Sequence, residues 1–285
     1  MPYHAVVAGS AILELPTGGP PRHLTPGDIV LLPQGDAHVL HDGSGAPPEP
    51  SRYRAGLNVV FSENAGTGER LDLMCGQFVL AAPHHRLLQS YLPRLLVVQA
   101  PDHRPSTARP GTGSQLAGLV SLMRIESEVD NLGGRAMLNA LSTAMFTLTL
   151  RHASEASEAP AGLLALAGHP RLAPALAALF REPERAWSLP ELARLCNMSR
   201  ATFARHFQEK LGRSASELLT DIRMTLAANE LKKSSASTAA VAETVGYQSE
   251  AAFQRVFKQR MGMTPARWRR AAAGTCVNQT SNGPS

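Results

Sequence analysis

Two hydrophobic rhythms divide the chain. Over residues 5–80 the apolar positions come in short runs: Ala5-Val6-Val7, Ala11 to Leu15, Asp28 to Leu32, Leu57 to Phe61 and Leu71 to Leu80. They are rich in Val, Ile and Leu and broken by Pro and Gly, which predicts short strands and tight turns, as in a small β-barrel or sandwich. Residues 43–50 read as a loop and 100–114 as a Pro/Gly/Ser/Thr-rich connector. Helical spacing follows over about 115–130 and 134–153; in the second stretch Met137, Leu138, Leu141, Met145, Leu148 and Leu150 share a face. Such a pair either closes the core of the strand region or joins two subunits. A polar linker over 154–161 leads to a region that is helical from His169 to about Arg270.

Within that last region the pattern repeats. Ser199-Arg200-Ala201-Thr202-Phe203-Ala204-Arg205-His206-Phe207 returns as Ser249-Glu250-Ala251-Ala252-Phe253-Gln254-Arg255-Val256-Phe257. Each copy has a Ser suited to cap a helix, two Phe residues at i and i+4, an Arg between them and a Gly beyond (Gly212, Gly262). A short helical pattern precedes each: Leu192, Ala193 and Leu195 inward in the first, Val241, Ala242 and Val245 in the second. Asn197 and Gly246 suit a left-handed turn residue between the helices. The Phe pairs anchor the core. Arg200, Ala201, Ala204, Arg205 and Gln208, and in the second copy Glu250, Ala251, Gln254 and Arg255, face the other way. Aromatic anchoring behind, with Arg and small residues in front, is what insertion of a helix into a DNA major groove requires. From Ala193 to Ser199 is six positions and from Ala242 to Ser249 seven, so the second turn is one residue longer. Between the copies, Leu218, Leu219, Ile222, Leu226, Ala227 and Leu231 predict one long helix over 215–232, able to hold two reading helices about one DNA turn, roughly 34 Å, apart.

Charge supports this division. From residue 171 onward there are 17 Lys+Arg against 9 Asp+Glu, while residues 1–170 hold 11 against 14; all four lysines lie in the later part. A basic half suits phosphate contact. No apolar run approaches the ~18 residues of a membrane span, and the N-terminus lacks a basic-then-apolar leader, so the expected location is the cytoplasm. Cys75, Cys196 and Cys276 are too few and too scattered for a disulfide framework or zinc cluster.

These residues resemble the AraC/XylS family of bacterial transcription regulators over about 169–270. Met198-Ser199-Arg200 is similar to the start of that family's first reading helix. Val241-Ala242-Glu243-Thr244-Val245-Gly246-Tyr247, then Phe253, Phe257, Gly262-Met263-Thr264-Pro265 and Trp268-Arg269, resemble its second unit. The resemblance implies DNA-contacting positions at Arg200, Ala201, Ala204, Arg205, Glu250, Ala251, Gln254 and Arg255; Thr202 and Gln208 complete the candidate set. It also implies double-stranded promoter DNA and RNA polymerase as partners, with activation more usual than repression. Ser214-Ala215 departs from the family's Thr/Ser-Pro at the start of the linking helix, which costs some rigidity there.

Gly27 to His38 fits G-x5-P-x-G-x2-H, which resembles the second motif of the cupin barrel. Metal-binding cupins take their other ligands from an H-x-H…E motif earlier in the chain. His4 and Glu14 lack that spacing, and no H-x-H precedes residue 27, so His38 alone makes no metal site. Related cupin-type regulators carry a few more strands before this point. The cupin motif, the Cys75-Gly76 step and His169-Pro170-Arg171-Leu172 together resemble a subgroup that includes a regulator responding to reactive chlorine through cysteine oxidation. Cys75 shares parity with Leu71 and Leu73, so it is expected to face the barrel interior. A redox trigger there needs a thiolate stabiliser, with His38, His41 and Arg54 as candidates; the alternatives are an inert buried thiol or a small-molecule pocket in the barrel. Cys196 is expected in the core. His84-His85 and His103 fall in Pro-rich stretches and read as incidental.

The expected architecture is therefore α+β and multidomain: a cupin-like sensor barrel over 1–100, a helix pair over 115–153 that is a candidate dimerisation element, an all-α double helix-turn-helix domain over 169–270 whose units are joined by a long helix, and a disordered tail over 271–285. The expected function is a DNA-binding transcription regulator, without cofactor, triggered by a small molecule or by oxidation of Cys75. A metal-dependent cupin enzyme with an appended DNA-binding module is the competing class, and an architectural DNA-binding protein a third.

Overall fold

The computed structural model describes residues 1–80, 82–99, 111–129, 131–233 and 236–271. The expected tail beyond Ala271, Cys276 within it, and His103 lie outside them. The chain forms two compact units: Met1–Leu80 with Leu92–Pro160, and Ala81–Tyr91 with Ala161–Ser285.

Among the described residues of the first unit, nine short strands run β1 (Pro2–Ala8), β2 (Ala11–Glu14), β3 (Arg22–Leu24), β4 (Ile29–Leu31), β5 (Val39–His41), β6 (Arg52–Ala55), β7 (Val60–Glu63), β8 (Asp72–Gln77) and β9 (Leu96–Val98). They divide among three antiparallel sheets, ordered β8-β1-β4-β9, β3-β2-β5 and β6-β7. Val6 and Val30 of the first sheet meet Ala11, Leu13 and Leu24 of the second, with Leu32, in one dry core. Gly27, at φ 93°, makes the turn the sequence predicts, its N–H bonded to Val6 O. The expected strand at Leu57–Phe61 is displaced: residues 56–59 are the β6–β7 turn, closed by Gly56 N–H to Val59 O. Apolarity misled here, because Leu57 and Val60 are exposed.

Helices α2 (Thr112–Glu128) and α3 (Gly134–Glu155) match the predicted pair. They pack on each other and against β1 and β9. The Phe78 ring stacks on Tyr3 at 4.5 Å and tilts against Phe146 at 4.8 Å. The far side of the pair leaves Leu122, Ile125, Val129, Leu132 and Met137 exposed.

The second unit comprises α1 (Ala82–Tyr91), α4 (Leu163–Ala167), α5 (Ala173–Arg181), α6 (Leu189–Leu195), α7 (Arg200–Leu211), α8 (Ala215–Lys233), α9 (Thr238–Thr244), α10 (Glu250–Met261) and a short helix over 265–271. Two cores lie end to end along α8. Ala215, Leu218, Leu219 and Ile222 pack with Phe203 and Phe207; Met224, Ala227, Ala228 and Leu231 pack with Phe253 and Phe257. That double duty buries α8 on most sides, so it lacks the clean polar face expected of a surface helix. Leu195 and Leu226, read as inward, are exposed at 42% and 38%; Cys196 takes the inward place beside Leu192 and Ala193. Ser214 and Glu217 form a reciprocal cap (Ser214 N–H to Glu217 Oε2 2.9 Å, Glu217 N–H to Ser214 Oγ 3.2 Å). That cap pins the start of α8 without the family's proline.

An expected domain of 1–100 holds α1, yet α1 groups with the second unit: Leu87 and Tyr91 lie in the α7–α8 core. His84 and His85, read as incidental loop residues, sit on this helix, and the His84 ring is 3.0 Å from Asn229 Nδ2 of α8.

Candidate DNA-reading helices and a cysteine–histidine line

Each reading helix is started by a serine. Ser199 Oγ accepts from Thr202 N–H at 3.2 Å and Ser249 Oγ from Ala252 N–H at 3.3 Å; both helices stop at left-handed glycines, Gly212 and Gly262. Asn197, at φ 50°, and Gly246, at φ 84°, occupy the turns. Gly246 is obligatory twice over, since a Cβ there would stand 2.2 Å from Glu184 O. Residues 196–199 separate α6 from α7 and 245–249 separate α9 from α10, so the one-residue difference between the turns is real.

Behind the helices Phe203, Phe207, Phe253 and Phe257 are fully buried, with ring centroids 5.3 and 5.5 Å apart within each pair. In front, Arg200, Ala201, Ala204, Arg205 and Gln208 are exposed on α7, and Glu250, Ala251, Gln254 and Arg255 on α10. Thr202 differs: it is half-buried and its Oγ1 lies 2.9 Å from Ser199 Oγ, which ties it to the cap. The outward side chains make only weak local contacts. Arg205 Nε lies 3.9 Å from Glu209, Gln208 donates to Gly212 O at 3.1 Å, and Gln254 donates to Glu250 Oε1 at 2.9 Å. Exposed pairs of this kind stabilise little and exchange readily for other partners.

The first unit carries a different constellation. Cys75 of β8 and His4 of β1 are direct cross-strand partners, and His4 in turn faces Val30 of β4. Cys75 Sγ is 2.9 Å from His4 Nδ1; His4 Nε2 is 2.7 Å from His38 Nε2; His38 Nδ1 is 3.1 Å from Asp36 O. Leu71 and Leu73, on the parity of Cys75, pack on the inter-sheet core, whereas Cys75 itself, expected to face the interior, is exposed. Gly76 leaves room for the Tyr3 ring on the opposite face, 2.6 Å from where a Cβ would be. Of the expected thiolate stabilisers, His38 is one ring removed, His41 lies 3.6 Å from Glu14, and Arg54 stacks over Phe61 at 4.0 Å. The neighbour is His4, 71 residues away in sequence; its signal exists only once β1 and β8 are paired.

The carbonyl of Asp36 can only accept, so Nδ1 of His38 carries a proton. With His38 neutral its Nε2 accepts from His4 Nε2–H, which leaves His4 Nδ1 to accept the Cys75 S–H. Burial and the nearby His38 lower the His4 pKa to about 4, keeping that ring neutral. Burial pushes the Cys75 thiol up. The resting group is therefore a thiol with a directed path for its proton, not a preformed thiolate. Both His4 nitrogens are used in opposite directions, which opposes convergence on one ion; among the described residues no group of three or more His, Cys, Asp or Glu is arranged to hold a metal.

A strand unit followed by a doubled, serine-capped helix unit that exposes Arg205 and Arg255 is the architecture of a DNA-binding regulator with a separate N-terminal domain. Comparison with known proteins narrows the class. A cupin family model matches residues 1–155 and a helix-turn-helix domain model matches 192–271. An uncharacterized HTH-type transcriptional regulator of Haemophilus influenzae is 32% identical over 253 residues, 88% of this chain and 80% of that protein. The RCS-specific HTH-type transcriptional activator RclR of Escherichia coli is 29% identical, covering 94% and 83%. Among solved structures, the DNA-binding domain of AdpA in complex with a target DNA is 28% identical over 37% of this chain and 95% of that one, with TM-score 0.36. The chain belongs to the AraC-type family of helix-turn-helix transcription regulators that carry an N-terminal cupin domain, and it is a DNA-binding transcription regulator. No helix among the described residues is long and apolar enough to cross a membrane.

Proposed function

We propose that α7 and α10 enter two successive major grooves on one side of a duplex, and that Arg200, Ala201, Ala204 and Arg205 read one groove while Glu250, Ala251, Gln254 and Arg255 read the next. Thr202 supports α7 through its cap, and Gln208 flanks the contact. The observation that carries this reading is the pair of equivalent, serine-capped helices held from behind by buried Phe pairs, with Arg205 and Arg255 exposed at matching positions. The units are unequal, since Arg200 in one answers to Glu250 in the other, so a monomer reads an asymmetric site. The test is titration of wild type and single variants against duplexes recovered by selection from a random library. Arg205→Ala and Arg255→Ala each weaken specific binding by about 1–3 kcal/mol when the Arg contacts guanine; unchanged binding in both variants rules out the assignment.

We further assign Cys75 as the trigger. The E. coli relative is named as an RCS-specific activator, and the Cys75–His4–His38 line supplies the chemistry. When the sulfur attacks a hypohalous acid, oxygen transfers to sulfur and halide departs. The thiol proton moves to His4 Nδ1 as the His4 Nε2 proton moves to His38. His4 is never doubly protonated, so its low proton affinity is no obstacle. The closely packed interior of Val6, Leu13, Leu24, Val30 and Leu32 favours this trigger over a small-molecule pocket. Activation through RNA polymerase, a cytoplasmic location, and a homodimer formed through the exposed apolar side of α2 and α3 complete the proposal.

A further inference from the structure

We propose that Asp221 is the positioning residue that sets the register of the two reading helices, and that α1 governs it; this rests on the assignment of α7 and α10 as the readers. Asp221 sits at the middle of α8, with its side chain 14% exposed. Three elements converge on its carboxylate. The Tyr91 hydroxyl, at the end of α1, donates to Oδ2 at 2.6 Å. Arg213 Nη1, just beyond α7, donates to the same oxygen at 3.3 Å. Arg260 Nη1, in the last turn of α10, lies 3.3 Å from Oδ1. The Arg213 guanidinium also lies over the Tyr91 ring, 5.2 Å from its centroid, and Arg86 of α1 donates to the Arg260 carbonyl at 3.3 Å.

One carboxylate thus ties the C-terminal end of each helix-turn-helix unit to the helix between them. The hydrophobic cores do not do this: the Phe203/Phe207 core and the Phe253/Phe257 core are separate clusters that meet only along α8. Each core fixes its own unit; the charged node fixes one unit against the other at one end of the seam, as Arg223 does at the other by donating to the Pro183, Glu184 and Arg185 carbonyls while lying over the Tyr247 ring. Ion pairs of partial exposure add little stability, but a shared carboxylate makes the two arginine positions interdependent. Tyr91 completes the node, and its phenol is buried at 4% exposure. The chain leaves the first unit after Leu80 to form α1 and returns to it at Leu92. A displacement of α1 therefore withdraws Tyr91 from Asp221, takes Leu87 and Tyr91 out of the Phe203/Phe207 core, and leaves the Phe253/Phe257 core intact.

The experiment uses the full chain and duplexes selected by wild type, alongside versions with one or two base pairs inserted between the two half-sites and a version carrying the α7 half-site alone. One base pair shifts a half-site by about 3.4 Å along the axis. Asp221→Asn is expected to lose most of the preference for native spacing, reducing discrimination by about tenfold or more while affinity for the isolated half-site stays at the wild-type value. Tyr91→Phe, which removes one hydroxyl, is expected to lose part of that preference, and Asp221→Glu to restore part of it. Thermal denaturation of each variant separates a register effect from unfolding. Wild-type spacing discrimination in both Asp221→Asn and Tyr91→Phe overturns the inference, as does a loss of half-site affinity equal to the loss on the full site. If Arg205→Ala and Arg255→Ala bind as wild type, the reader assignment fails instead.

Discussion

At the scale of single residues, the proposed trigger chemistry lies in one thiol and its neighbours. Cys75 rests protonated, so its reactivity depends on where its proton goes. His38→Ala should slow alkylation of Cys75 at neutral pH by about a hundredfold, the low end of what a positioned proton acceptor contributes. The rate is read by mass spectrometry in a Cys276→Ser background, and an unchanged rate removes the relay. Oxidation should alter DNA binding in wild type and not in Cys75→Ser; the same response in both removes Cys75 as the trigger. His4 adds a pH dependence. Its folded pKa, about 4, is below the ordinary histidine value of about 6.5, so acid favours the unfolded state, which takes up the proton first. The first unit should lose stability as pH falls from about 6.5 to about 4 and level off below. His4→Gln should flatten that part of a calorimetric profile, and a profile identical to wild type contradicts the neutral buried ring.

At the scale of elements, the reading helices stand on local rules. Ser249→Ala removes the acceptor for Ala252 N–H and should cost about 1 kcal/mol in urea unfolding. Phe257→Ala empties a fully packed site and should cost about 3–5 kcal/mol. Those rules explain why this half was legible in sequence: caps, i and i+4 anchors and turn residues act over a few positions, and Asn197, Gly246, Ser199 and Ser249 all do what their chemistry predicts. The residues misread, Leu195 and Leu226, sit where tertiary contacts decide burial. The helix pair was legible in period but not in purpose. In the proposed dimer, exposed Ile125 of α2 and Leu132 of the α2–α3 turn, at 57% and 103% exposure, face the second copy. Ile125→Asp with Leu132→Asp should convert a dimer to a monomer in sedimentation, and a wild-type sedimentation coefficient rules that surface out.

At the scale of the whole molecule, the parts that escaped the sequence are those built by long-range pairing. The His4–Cys75 contact joins positions 71 apart and exists only because β1 lies against β8. Helix α1 carries a usable signal, Leu87, Leu88 and Tyr91 at helical spacing after Pro83, but its membership of the DNA-reading unit is written in Asp221 and Asn229, far along the chain. The molecule is a DNA-binding regulator, and in the proposed reading two unequal helices, α7 and α10, share one connector, α8. The measurement that tests this most directly is hydroxyl-radical footprinting on a selected duplex. Wild type should protect two adjacent windows about one helical turn apart. Arg205→Ala should lose protection in one window and Arg255→Ala in the other. A single protected window, or two windows untouched by either substitution, would contradict the account.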